Sequence, residues 1–165
     1  MNKKADIFDI LSFVLVLFFV TTGFFIISFI VPYITGGLRT AGLNNSVEGI
    51  NALQKLDDFG TDGIQRGVFW FFIGLVMATL ISSFFADTHP IWMGLYIFIL
   101  IITVVVGAYL ANAYETMINQ NAFNGWTQAY MTSIMQYIIP ITIGVAVISF
   151  IIMFAKGAIY GSGGP

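Results

Sequence analysis

The chain has 165 residues, of which 58% are hydrophobic, 16% aromatic and only 8% charged, and its mean hydropathy is +0.92. Water-soluble domains carry about a quarter charged residues, so this composition excludes an ordinary soluble domain and points to a polypeptide whose main solvent is lipid. Cysteine is absent and His89 is the single histidine, which excludes disulfides, thiolate chemistry and multi-histidine metal sites; a formal charge of −2 leaves no basic stripe for nucleic acid.

The first apolar run, 10–31, follows a charged lead (Lys3, Lys4, Asp6, Asp9) and contains no ionisable residue. As a helix it rises roughly 33 Å, enough for a hydrocarbon core of about 30 Å. It is too long for a usual signal-peptide core, and no small-x-small cleavage pattern follows it, so a retained span is expected. Pro32 and the Gly36-Gly37 pair read as its end. A polar stretch, 35–66, comes next. Within it Asn45 and Glu48 have capping-box spacing ahead of Val47, Ile50, Leu53 and Leu56, which recur every three residues along one side of a helix. Gly60 then reads as a stop. A short amphipathic surface helix over about 46–59 is predicted, lying on the membrane or on the protein's own spans. Its mixed charges (Glu48, Lys55, Asp57, Asp58) favour docking or packing over binding to anionic lipid.

The second run, 68–86, is again free of charge. Asp87-Thr88-His89-Pro90 breaks it, and the third run, 91–110, follows at once. A connection this short predicts that spans two and three form an antiparallel pair. After Leu110 the sequence stays helix-compatible to Gln120, turns at Asn124-Gly125 and resumes as helix over 126–136. A helix of 30 residues from 91 to 120 would rise about 45 Å and overshoot the bilayer. An uncharged helical hairpin over about 111–136 is therefore expected to protrude, with Trp126, Tyr114 and Tyr130 as interfacial anchors or as a contact surface for protein. The fourth run, 137–155, contains Pro140 and leads to Lys156 and a Gly/Ser tail. Four spans put both termini on one side. Lys3, Lys4 and Lys156 balance Arg39, Lys55 and Arg66 across the membrane, so basic residues do not fix the orientation.

No run carries an ionisable residue near its centre, which argues against a proton relay or an ion-coupled carrier. Asp87 with His89 could be imagined as a base with its orienting carboxylate, but a tight turn explains both and no nucleophile motif accompanies them. Glu115, near Asn112 and Tyr114, reads as a carboxylate at the membrane edge. Gly74 with Ala78 and Gly107 with Ala111 have the four-residue interval that allows close helix packing. Asn44-Asn45-Ser46 matches a glycosylation acceptor, relevant only in a secretory lumen. The 17 phenylalanines read as lipid-facing and interhelical packing ahead of a pigment or quinone site. No catalytic residue, metal or cofactor is implied.

The segment Thr88-His89-Pro90-Ile91, with the apolar helix after it and Ala111-Asn112-Ala113-Tyr114-Glu115, resembles small integral membrane proteins of icosahedral viruses that have an internal lipid membrane. The resemblance covers about a sixth of the chain. It implies a non-enzymatic virion component lying under the capsid, and it transfers no functional residue.

The expectation is thus an all-α polytopic membrane protein, one membrane domain over 1–165, with four transmembrane helices, an amphipathic surface helix and a protruding helical hairpin. Its expected role is a non-enzymatic structural or assembly subunit, in a viral internal membrane or a cell membrane. Its partners would be the lipid bilayer and other protein subunits, with Asn121, Phe123 and Trp126 at the contact and a homo-oligomer as one arrangement. An oligomeric channel lined by Thr and Ser hydroxyls and an accessory subunit of a membrane enzyme are the alternatives.

Overall fold

A computed structural model describes residues 9–85, 90–123, 126 and 128–160, with 90–93 and 156–160 described as backbone only. Asp87, His89, the Asn124-Gly125 turn and the Gly/Ser tail lie outside the described residues. The helices are α1 (Asp9–Thr40), α2 (Val47–Asp58), α3 (Ile64–Phe85), α4 (Pro90–Ile118), α5 (Ala129–Gln136) and α6 (Ile138–Tyr160). Among the described residues, four helices are long and apolar enough to cross a membrane. The protein is an all-α, integral membrane protein, as its composition dictates.

The spans make a four-cornered bundle in which α1 and α6 each pack against both α3 and α4. The expected pairing of α3 with α4 does not occur: although joined by a four-residue connection, they sit diagonally opposite and share at most glancing contact among the described residues. The reason lies in the inward faces. Helix α1 buries Ile10, Phe13, Val14, Leu17, Thr21, Phe25, Ser28, Val31 and Thr35, spaced mostly by three or four residues, which gives it a continuous stripe to share with two neighbours. Helix α4 turns Tyr96, Ile99, Thr103, Gly107 and Tyr114 inward, and the Tyr96 hydroxyl donates to the Ala146 carbonyl of α6 at 3.0 Å. Four other buried hydroxyls turn back on their own helices, Thr79 to the Leu75 carbonyl, Ser83 to Thr79, Thr103 to Ile99 and Thr142 to Ile138, all at 2.6–2.9 Å, while those of Thr21, Thr22 and Ser149 make no such bond. With no water in the hydrocarbon, a helix carbonyl is the nearest acceptor such a group has.

Helix α1 runs through Pro32 and Gly36-Gly37 to Thr40, beyond the end expected near Val31. Proline removes one backbone donor, the one that would serve the Ser28 carbonyl, and the hydroxyls around it fold onto their own helix: Ser28 donates to the Phe25 carbonyl at 2.9 Å and Thr35 to the Pro32 carbonyl at 3.1 Å. The stop comes instead at Gly42, whose φ of +90° is the left-handed conformation in which glycine closes a helix. A 3₁₀ turn, Leu43–Asn45, follows. The cap of α2 is Ser46, not Asn45, its hydroxyl accepting from the Gly49 amide at 3.0 Å.

Gly60 does not end α2. The chain passes through a π-helical turn, Phe59–Gly63, straight into α3, giving 39 continuous helical residues from Val47 to Phe85. The residues buried along the first half of this rod, Gly49, Leu53, Gly60, Ile64 and Val68, explain the turn. At 3.6 residues per turn, the step from Gly49 to Val68 would leave Val68 roughly 100° off the buried face. A π-turn accommodates about one extra residue and restores the phase. The rod lies against α1, and three contacts set the register: Ser82 donates to the Asp9 carboxylate, Gly60 faces Val31, and Arg39 pairs with Asp57.

Counting from Asp9, a hydrocarbon core of about 30 Å is used up near Val31. The remainder of α1, with α2, rises roughly 14–20 Å further and forms a hairpin beyond the lipid. The predicted surface helix is therefore an arm of this hairpin, packed on the end of α1 with Leu53 buried.

A Cβ at Gly60 would stand 2.5 Å from Val31 Cγ1 and 2.7 Å from its Cβ, atoms held by a stiff branched side chain. Gly60→Ala is expected to destabilise the protein by about 1–3 kcal/mol. Gly67→Ala, in the interior of α3 where a Cβ meets nothing within 4 Å, should stabilise by up to about 1 kcal/mol. Thermal unfolding in detergent, followed by tryptophan fluorescence, checks the difference.

Candidate functional site

The end of the bundle where α1 emerges gathers the polar and aromatic groups that lie outside the plain interior. Phe25 and Phe29 of α1 receive Phe123 and Trp126 from the connection between α4 and α5. Ring centroids are 5.5 Å apart for Phe25–Phe123, 4.6 Å for Phe29–Phe123 and 6.3 Å for Phe29–Trp126. Tyr114 closes the cluster edge-on to Phe25 at 5.7 Å. Such pairs add about 0.5–1.5 kcal/mol each beyond burial. The indole N–H of Trp126 points to the Ser28 hydroxyl at 3.4 Å. Helix α5 lacks a side-chain cap of its own at Gln128; Gln65 of α3 supplies one, its amide oxygen accepting from the Tyr130 backbone N–H at 3.3 Å.

These contacts place the residues singled out from sequence. Phe123 and Trp126 come together, but against α1, so these two side chains of the connection turn inward; Asn121 is exposed in the 3₁₀ turn Asn121–Phe123. Gly107 is buried, with a Cβ position 3.8 Å from Val14 Cγ1, and Ala111 packs against the core, so this pair lies at the α1 seam. Gly74 and Ala78, an identical spacing, are exposed on the outer side of α3, where a Cβ on Gly74 meets nothing within 4 Å.

Between the end of α4 and α5 lies a half-open cleft of about 310 Å³. Ala111, Ile118 and Met135 form its apolar lining, and Tyr114, Glu115, Asn119, Thr132 and Gln136 its polar lining. The Tyr114 side chain is nearly fully buried (3% exposed). Its hydroxyl is near enough to Thr132 to feel it, but no hydrogen bond of normal geometry forms. Glu115 stands in the last turn of α4, where the helix dipole disfavours an anion. The cleft offers acceptors and one negative charge. Among the described residues no three His, Cys, Asp or Glu side chains converge as a metal group would require.

One surface was not foreseen. Val47, Ile50, Leu53 and Leu56 read as a single stripe, but the structure divides them: Leu53 is buried and Leu56 half-buried, whereas Val47 (71%) and Ile50 (50%) join Leu43 (43%) as exposed apolar residues at the tip of the first hairpin. The spacing 43, 47, 50 carried the signal. What concealed it was the assumption that Gly36-Gly37 ended the first helix.

No family model, curated protein or solved structure matches the chain.

Because Phe123 stacks on two rings of α1, Phe123→Ala should cost about 2–3 kcal/mol, whereas Asn121→Ala should leave stability within about 0.5 kcal/mol. Chemical or thermal unfolding of the two variants in the same detergent tests the inward placement of Phe123.

Proposed function

We propose that the protein is a non-enzymatic structural subunit of a larger membrane assembly and that the tip of its first hairpin receives a protein partner. The observation that carries this reading is the exposure of Leu43, Val47 and Ile50 on a projection beyond the lipid. Exposed apolar side chains along the spans face hydrocarbon at no cost, but at the tip they face water unless something covers them.

The tip is also held stiffly, which lowers the entropic cost of association. A Cβ on Gly49 would overlap the Leu43 carbonyl, so the turn and α2 are in close backbone contact. Ser46 caps α2, and the Arg39–Asp57 ion pair ties the two arms. The exposed pair is worth little by itself, but it fixes the angle at which the tip is presented. The resemblance of the 88–91 and 111–115 segments to virion membrane proteins suggests the setting: an internal membrane beneath an icosahedral capsid, with the tip directed at the shell. Asn121, exposed at the same end of the bundle, is a second contact position in this reading.

The test is the size of the assembly extracted from the native membrane in mild detergent. Replacing Leu43, Val47 and Ile50 together by Ser or Gln should reduce the extracted species to the isolated subunit and leave its thermal midpoint unchanged. An assembly of undiminished mass would refute the proposal. Self-association of the purified chain through the same residues would identify the partner as a second copy. Ion conductance in liposomes by protein carrying the altered tip would instead support a channel.

A further inference from the structure

We infer that the cleft between α4 and α5 binds a primary ammonium group, carried by the headgroup of an ethanolamine phospholipid or by a free amine. This goes beyond the structural role and does not depend on the hairpin tip.

The first argument is charge. Glu115 lines the cleft, and no lysine or arginine occurs between Arg66 and Lys156. Arg39 is engaged by Asp57 and Arg66 by Asp62, Lys55 of α2 is in neither pair, and among the described residues no ion pair includes Glu115. The carboxylate also adds to the negative end of the α4 dipole, where a cation is the favoured occupant.

The second argument is the buried hydroxyl. Tyr114 lines the same cleft and is nearly fully enclosed, and its hydroxyl, with Thr132 nearby, makes no hydrogen bond of normal geometry, a state that a ligand group able to complete the bonding would relieve. A primary ammonium has three N–H donors, which the Glu115 carboxylate, the Tyr114 hydroxyl oxygen and an amide oxygen of Asn119 or Gln136 can accept. A quaternary ammonium has none to give. The Thr132 hydroxyl remains to donate to a neighbouring phosphate.

The third argument is position. The cleft lies just past the end of the third apolar run: Tyr114 and Glu115 follow Leu110 by about one helical turn, and Glu115 is exposed. On the outer side of α4, directly toward the membrane centre, Val104, Val105, Ala108, Tyr109 and Asn112 line a second, more open hollow of about 340 Å³. Ala108 is two helical turns from Glu115, on the same side of α4. A phospholipid anchored at Glu115 can lay an acyl chain along this hollow.

The experiment uses the full chain in nanodiscs of phosphatidylcholine alone, in nanodiscs with added phosphatidylethanolamine, and in phosphatidylcholine nanodiscs with ethanolamine in the buffer. Thermal midpoints and lipids retained in native mass spectrometry are the readouts. Wild type should retain phosphatidylethanolamine over phosphatidylcholine by about tenfold, the size of one charge-assisted hydrogen bond, with a higher midpoint. Glu115→Gln should abolish the preference while keeping the phosphatidylcholine midpoint, and Tyr114→Phe, which removes only the hydroxyl, should weaken it. A midpoint shift with free ethanolamine that is lost in Glu115→Gln would support the site and assign it to a soluble amine. Equal retention of the two lipids with no response to ethanolamine, or a preference that survives Glu115→Gln, would overturn the inference.

Discussion

The seam between α1 and the long rod of α2, the π-turn and α3 governs the rest of the molecule. Its close point is Gly60 against Val31, where the absence of a side chain lets a helix approach a branched residue directly. With that contact fixed, the Asp9–Ser82 hydrogen bond closes one end and the Arg39–Asp57 pair the other. The π-turn is a consequence of the same constraint. A plain α-helix could not keep Gly49, Leu53, Gly60, Ile64 and Val68 all on the buried side of the rod, and the added residue in one turn corrects the drift.

Lipid as solvent explains why the interior tolerates so many hydroxyls. Thr79, Ser83, Thr103 and Thr142 donate to carbonyls of their own helices, so they make no demand on a neighbour and act as small space-fillers between helices. Besides the Asp9–Ser82 and Arg39–Asp57 contacts, the interhelical polar contacts described are Tyr96 on the Ala146 carbonyl, Trp126 on Ser28 and Gln65 on the α5 backbone. Specificity in this bundle comes from where backbones can approach and where aromatic rings interlock, more than from polar pairing.

The four spans were legible because they follow from composition alone. The ends of the helices were not. Pro32, Gly36-Gly37 and Gly60 are stop signals by rules of local propensity, yet packing of one arm on the other outweighs a cost of about 1 kcal/mol per glycine. Ser46 rather than Asn45 caps α2 because the cap must also fit the close contact of Gly49 with Leu43. The pairs Gly74/Ala78 and Gly107/Ala111 have one spacing and opposite surroundings; a local pattern does not say which neighbour a helix face will meet. The inward turn of Phe123 and Trp126 depends on Phe25 and Phe29, nearly a hundred residues away, and nothing near Trp126 reveals it. The charge of Glu115 was visible in the sequence. The enclosed hydroxyl beside it required the fold.

The diagonal placement of α3 and α4 bears on how the molecule is made. Spans emerge from the ribosome in order, and the second and third to enter the bilayer have almost no surface for one another. Each must find α1, already waiting, and the two remain on either side of it until α6 arrives to touch both. Closure of the bundle is thus deferred to the fourth span, and a chain cut short before α6 would hold its two middle spans by a single helix, an open form that quality-control proteases can recognise.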